Sequence, residues 1–139
     1  MSQEDYKPLI LIADDDPDLR QLVRLNLETT QCEIIEASNG AQTLELLLIQ
    51  RPDMIILDVM MPELTGWEVL RYIRTHNDKE LSDTGVLMLT GIGESLNELS
   101  SPMYGADDYI DKPFKGQELL FKVRRVLSKV RRRRDAPDV

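Results

Sequence analysis

The segment Met54 to Asp58 constrains the fold of this chain more than any other, because four consecutive apolar residues lead directly into an aspartate. A short apolar run containing β-branched residues is typical of a strand buried on both faces of a parallel sheet. In open α/β sheets, ligands bind and chemistry takes place at the carboxyl ends of the strands. Asp58 is therefore the first candidate functional residue.

Three other strand-like segments also end in polar residues, and the stretches between strands have helical patterns. This alternation predicts a parallel sheet with helices on both faces. Because the carboxyl ends of parallel strands share one edge, the polar residues after them are expected to converge there. The segments and the residues after them are Leu9–Ala13 with Asp14 and Asp15, Val86–Leu89 with Thr90, and a short strand around Ile110 with Lys112.

The first helix is expected to begin near Asp16 and Pro17, since aspartate is a good N-cap and proline suits the first helical position. Its spacing of apolar residues predicts a buried stripe of Leu19, Leu22 and Val23. The same argument favours a second helix with a buried stripe that includes Leu47 and Leu48.

The second half of the chain contains one clear helix and two weaker segments. Apolar residues at helical spacing predict a last helix from Leu119 to Val130. The polar segment His76 to Gly85 is interpreted as a loop. Glu94 to Tyr104 is expected to form the fourth helix, which is short or bent because Pro102 removes a backbone donor.

Composition limits the classes of function. A chain of 139 residues with 42% hydrophobic and 30% charged residues predicts one globular domain, here 1–130, with 131–139 as a basic tail or the start of a linker. The net charge of −8 argues against direct nucleic-acid binding. No apolar run is long enough for a membrane span. A single cysteine, Cys32, favours a reducing compartment, so a cytoplasmic location is expected.

The residues expected at the sheet edge suit phosphoryl transfer. A divalent metal and a cationic side chain together neutralise the charge of a phosphoryl group. Mg²⁺ prefers oxygen ligands, which Asp15 and Asp58 would supply, with Asp14 as a second acid. A carboxylate such as Asp58 can also act as the nucleophile. Lys112 and Thr90 would then contact the phosphoryl oxygens.

The sequence resembles the receiver domain of two-component response regulators over nearly its whole length. Any one of the matching motifs is weak, but all of them in order are highly specific. They are Ala13-Asp14-Asp15-Asp16-Pro17, Leu57-Asp58-Val59-Met60-Met61-Pro62 with Gly66, Leu89-Thr90-Gly91, and Gly105-Ala106-Asp107-Asp108-Tyr109-Ile110-Asp111-Lys112-Pro113-Phe114.

The resemblance implies a single flavodoxin-like (βα)5 domain, with a five-stranded parallel sheet in the order 2-1-3-4-5. It implies that Asp58 is the phosphoacceptor for a histidine kinase or a phosphotransfer protein. Asp15, Asp58 and the backbone carbonyl of Met60 would bind Mg²⁺, and Asp14 would assist through a water molecule.

The resemblance also implies a switch. Lys112 would contact the phosphoryl group, and the Lys112–Pro113 peptide bond would be cis. Thr90 and Tyr109 would change position together, and so alter the surface formed by the fourth helix, the fifth strand and the last helix. That surface would signal to a downstream protein or an output domain. Turnover of an external substrate is not expected.

Three other functions remain as alternatives. A receiver that acts only as a protein-binding module would be expected to lack one of Asp15, Asp58, Thr90 or Lys112, and this chain has all four. A Mg²⁺-dependent phosphatase with an aspartyl nucleophile would usually carry a second acid where Met60 stands. A DNA-binding regulator would need a reading helix, for which the segment after Val130 is too short.

Overall fold

A computed structural model of the chain describes residues 7–91 and 105–136. In this part of the chain, five parallel strands form one sheet in the order β2-β1-β3-β4-β5, which confirms the predicted topology. The strands are β1 (Leu9–Ala13), β2 (Glu33–Ala37), β3 (Met54–Asp58), β4 (Gly85–Thr90) and β5 (Asp108–Asp111).

The described residues form five helices. They are α1 (Pro17–Leu27), α2 (Gly40–Gln50), α3 (Gly66–Arg74), the short α4 (Lys79–Ser82) and α5 (Gly116–Asp135). The helix expected from Glu94 to Tyr104, with Pro102, lies outside the described residues.

The central strands are fully buried, and their alternate side chains face two separate cores. Every residue of β3 and β4 is buried. Ile55 and Leu57 of β3 belong to a core shared with α2 and α3. Met54 and Ile56 belong to a second core shared with α1 and α5. Helices therefore cover both faces of the sheet, as the uninterrupted apolar runs of β3 and β4 predict.

Two predicted core leucines are exposed instead. The exposed fraction is 46% for Leu22 in α1 and 41% for Leu48 in α2. In α1 the buried positions are Val23 and Leu27, one turn apart on the same side of the helix. Leu22 lies about 100° around the helix axis from Val23, at the 3.6 residues per turn of an α-helix, and so faces away from the sheet.

The segment expected to be a loop between His76 and Gly85 contains the short helix α4. The Asp78 carboxylate caps this helix by accepting from the backbone N–H of Glu80. Leu81 of the helix is fully buried. A single apolar anchor and a cap are enough for one turn, but four residues are too few to reveal a helical period.

Helix α5 continues without a break as far as Asp135, through most of the basic segment that was expected to be a tail or the start of a linker. Its last turn contacts the rest of the domain: Arg133 Nη1 lies 2.7 Å from Asp107 Oδ1, and Arg134 pairs with Asp53. The arginine run is therefore part of the folded domain up to Asp135.

Candidate functional site

The sheet brings the predicted polar residues to one edge. Asp58 is the last residue of β3 and Thr90 the last of β4. Asp14 and Asp15 follow β1 directly, and Lys112 follows β5. Because β1 and β3 are neighbours with Ala13 opposite Leu57, the acids after β1 lie beside Asp58.

The three aspartates form a cluster that fits a divalent cation. One carboxylate oxygen from each of Asp14, Asp15 and Asp58 lies within 4.8 Å of the other two. Asp14 and Asp58 are almost fully buried, whereas Asp15 is exposed. Oxygen ligands that combine buried carboxylates with one open to solvent suit Mg²⁺, which keeps several water molecules.

Burial makes the charged form of Asp58 unfavourable. It raises the pKa of the Asp58 carboxyl to about 6, and the nearby charge of Asp14 acts in the same direction. The pKa of Asp14 is also raised, mainly by burial. A cation bound here would relieve both effects, because it favours the charged carboxylates.

Lys112 links the two buried acids. Its ammonium donates to Asp58 Oδ1 at 3.0 Å and to Asp14 Oδ2 at 3.3 Å. Burial alone would lower the pKa of Lys112, but the hydrogen bond and charge of Asp58 and the charge of Asp14 outweigh it, so this pKa is raised. The Lys112–Pro113 peptide bond is cis.

The loop after Asp58 depends on a glycine. The backbone N–H of Gly66 donates to the carbonyl of Val59 at 2.8 Å. A Cβ at position 66 would lie 2.3 Å from the Asp58 carbonyl oxygen, a distance that side chains do not tolerate. The loop contains Met60, whose backbone N–H donates to Asp58 Oδ1 at 3.3 Å. The Met60 carbonyl as a metal ligand stays a prediction.

Thr90 is fully buried, and its hydroxyl is held by a residue to which sequence reasoning gave no role. Thr90 Oγ1 donates to Asp111 Oδ1 at 2.6 Å, while the carbonyl oxygen of Ile110 is 3.4 Å away. Asp111 is exposed at the end of β5. Only the pairing of β4 with β5, which sets Thr90 opposite Asp111, reveals this contact.

Tyr109 lies in β5 and packs against the core that includes α2 and α3. Burial, together with the charges of Asp107 and Asp108, raises the pKa of its hydroxyl. Among the described residues, this buried hydroxyl has no hydrogen-bond partner. A buried, unpaired hydroxyl favours any rearrangement that provides a partner.

A second group missed by sequence reasoning lies next to Tyr109. The Asp107 carboxylate accepts from Arg74 Nη2 at 3.0 Å, from Arg133 Nη1 at 2.7 Å and from the backbone N–H of Val86 at 2.9 Å. These partners come from α3, α5 and β4. No local pattern connects positions so far apart in the sequence.

The sequence of this chain matches a known protein family. The model of the response regulator receiver domain matches residues 10–124, which is most of the chain. The chain belongs to the response regulator receiver domain family. The segment that matches extends from β1 into α5 and therefore includes the aspartate cluster, Thr90, Tyr109 and Lys112, whereas Arg133 lies beyond it.

Individual proteins similar to this receiver domain agree. It is 38% identical to the DNA-binding dual master transcriptional regulator RpaA of Synechocystis over 90% of this chain and 51% of that protein. It is 40% identical to the transcriptional regulatory protein SrrA of Staphylococcus aureus over 85% of this chain and 47% of that protein. The chain thus spans about half the length of these curated relatives.

Solved structures give the same result. A putative response regulator from Chloroflexus aurantiacus superposes with a TM-score of 0.81 at 30% identity, covering 88% of this chain and 99% of that one. The chemotaxis response regulator CheY4 of Vibrio cholerae has a TM-score of 0.77 at 30% identity, covering 87% and 99%. Within the described part of the receiver domain, no helix is long and apolar enough to cross a membrane.

Proposed function

We propose that this receiver domain accepts a phosphoryl group on Asp58 from a histidine kinase or a phosphotransfer protein. The observation that carries the proposal is the position of the Asp58 carboxylate, which is buried at the end of β3, clustered with Asp14 and Asp15 and paired with the Lys112 ammonium. The free cysteine, Cys32, agrees with a cytoplasmic location.

In the proposed reaction, an Asp58 oxygen forms a bond to phosphorus as the bond between phosphorus and the donor histidine breaks. Asp15 and Asp58, with the Met60 carbonyl and with Asp14 through water, would hold Mg²⁺. The metal would supply positive charge for the phosphoryl oxygens. Lys112 already donates a hydrogen bond to Asp58. After transfer, its ammonium would pair with the negatively charged oxygens of the phosphoryl group.

The phosphoryl group would be read out through Thr90 and Tyr109. New acceptor oxygens on Asp58 would attract the Thr90 hydroxyl, and the space it leaves would be filled by Tyr109. This is a population shift, whose size depends on the extra contacts made in one of the two states. The change would reach the surface of β5 and α5, and so a partner protein or an output domain.

A phosphorylation-independent binding module is the less favoured alternative, because Asp15, Asp58, Thr90 and Lys112 are all present and three of them are brought into direct or near contact. RpaA and SrrA are transcriptional regulators by name. For this chain, with its net charge of −8, we propose that any DNA contact belongs to an output domain or a partner rather than to the receiver itself.

A titration with beryllofluoride and Mg²⁺ tests the function, because this anion imitates a phosphoryl group on a carboxylate. We expect wild type to bind it and Asp58→Asn not to bind it. Thr90→Ala should still bind, but without the wild-type NMR shift changes around Tyr109. Binding by Asp58→Asn would refute the site, and wild-type shifts in Thr90→Ala would refute the switch.

A further inference from the structure

The hydrogen bond between Thr90 and Asp111 has a geometry fixed by the sheet. The two residues are opposite each other in the ladder of β4 and β5, and the backbone N–H of Lys112 donates to the Thr90 carbonyl at 2.7 Å. At 2.6 Å, the bond from the hydroxyl to the carboxylate is as short as expected for a charged acceptor. The Thr90 hydroxyl is therefore well held by Asp111.

A threonine hydroxyl has one proton and so makes one strong hydrogen bond as a donor. Thr90 follows Leu89, which is opposite Asp58 in the ladder of β3 and β4, so Thr90 lies at the same edge as the phosphoacceptor. The proton cannot serve Asp111 and a phosphoryl group on Asp58 at the same time. The contact seen here competes with the contact that the switch requires.

We infer that Asp111 is a positioning residue, which holds the Thr90 hydroxyl away from Asp58 and thereby favours the unmodified state. The inference rests on the proposed function, since it concerns the residue that reads out the phosphoryl group. The strength of the hydrogen bond between Thr90 and Asp111 determines the free energy needed to release the Thr90 hydroxyl. That free energy must come from the interactions that the phosphoryl group makes in the switched state. A weaker acceptor at position 111 gives a receiver that switches more readily.

Asp111 is suited to this test because it is an exposed residue at the strand end. Replacing it creates no buried cavity. Asp111→Ala removes the acceptor, whereas Asp111→Asn keeps the shape and offers a neutral, weaker one. A purely structural role for Asp111 would change stability, but it would not change the affinity for beryllofluoride separately from the affinity for Mg²⁺.

The experiment measures beryllofluoride affinity in saturating Mg²⁺ for both variants. From the usual strength of a hydrogen bond to a charged group, Asp111→Ala should bind about ten-fold more tightly than wild type, with Asp111→Asn in between. The affinity for Mg²⁺ alone should stay unchanged. Equal beryllofluoride affinity in wild type and Asp111→Ala would overturn the inference.

A double-mutant cycle with Thr90→Ala separates this effect from simple charge repulsion. In the Thr90→Ala background there is no hydroxyl to release, so Asp111→Ala should leave beryllofluoride affinity nearly unchanged. The same tightening in both backgrounds would mean that the Asp111 charge repels the anion, and would overturn the inference. Failure of wild type to bind beryllofluoride would instead refute the proposed function, and the inference with it.

Discussion

The charge at the site is unbalanced at the level of single residues. Three carboxylates, Asp14, Asp15 and Asp58, are clustered around one ammonium, that of Lys112. Two of the three acids are buried, so water does little to screen their repulsion. The site is therefore prepared for a cation at the expense of stability in its absence.

Stability without divalent cations should depend on pH through Asp58. Its pKa of about 6 in the folded state is above the ordinary value of 3.8, so the folded state binds this proton more tightly than the unfolded state. The contribution of Asp58 to the free energy of unfolding is thus present below about pH 4 and is lost as the pH rises to about 6. The loss is at most about 3 kcal/mol.

Urea unfolding in EDTA between pH 4 and pH 7 measures this effect. Asp58→Asn should lack most of the decline seen for wild type, and should be more stable than wild type at pH 7. Asp14, whose pKa is also raised, is present in both proteins, so part of the decline should persist in Asp58→Asn. Parallel pH profiles for the two proteins would show that the decline in stability does not come from the raised pKa of Asp58.

Asp15 should matter for metal binding more than for folding. Asp15→Asn is expected to weaken Mg²⁺ binding by about 10–100-fold, by analogy with the effect of altering residues around metal sites. Asp18→Asn is a matched control, because Asp18 is exposed in the first turn of α1 and outside the cluster. Titration monitored by Trp67 fluorescence gives both affinities. Equal affinities would remove Asp15 from the ligand set.

At the scale of elements, Asp107 joins the end of α5 to the sheet. Its carboxylate is largely buried and pairs with both Arg74 and Arg133, while Lys129 donates to its backbone carbonyl at 2.8 Å. Asp107 lies two residues before Tyr109, so the end of α5 is attached close to the proposed switch. We propose that movement of Tyr109 would be transmitted through Asp107 to the end of α5.

Asp107→Ala should destabilise the domain by about 3–5 kcal/mol, because it leaves the partly buried arginines Arg74 and Arg133 without their shared acid. Glu118→Ala is the control: it removes the 3.9 Å ion pair between the exposed Glu118 and Lys122, and should change stability by about 0–1 kcal/mol. Urea unfolding compares the two. Equal, small effects would show that the Asp107 pairs contribute little.

The elements also show how far the sequence predicts this structure. The strands and the carboxylate edge were predictable, because buried parallel strands leave uninterrupted apolar runs such as that of β3. Helix α4 was not, since one turn has no measurable period. The last turn of α5 has no apolar stripe, and depends on pairs with Asp53 and Asp107 that only the folded chain brings close.

The candidate site likewise contains residues that the sequence predicts and one, Asp111, that it does not. The sequence predicts that one edge of the sheet carries the residues that end strands or directly follow them, which are Asp14, Asp15, Asp58, Thr90 and Lys112. Asp111 could not be assigned a role, because an exposed acid at a strand end has no distinguishing pattern. Its contact with Thr90 depends on the register of β4 and β5.

On the scale of the whole molecule, this receiver domain corresponds to about half of relatives such as RpaA and SrrA. Its net charge is −8, although basic residues are concentrated near the end of α5. The acidic site and the basic end of α5 are separate parts of one domain. We propose that the acidic site receives the phosphoryl group and that the face that includes α5 transmits the signal to a partner.

The proposed function requires that Asp58 is the one residue that becomes phosphorylated. Wild type and Asp58→Asn are incubated with a small acyl phosphate donor and Mg²⁺, and their intact masses are measured. We expect wild type to gain the mass of one phosphoryl group and Asp58→Asn to gain none. Equal modification of both proteins would contradict it.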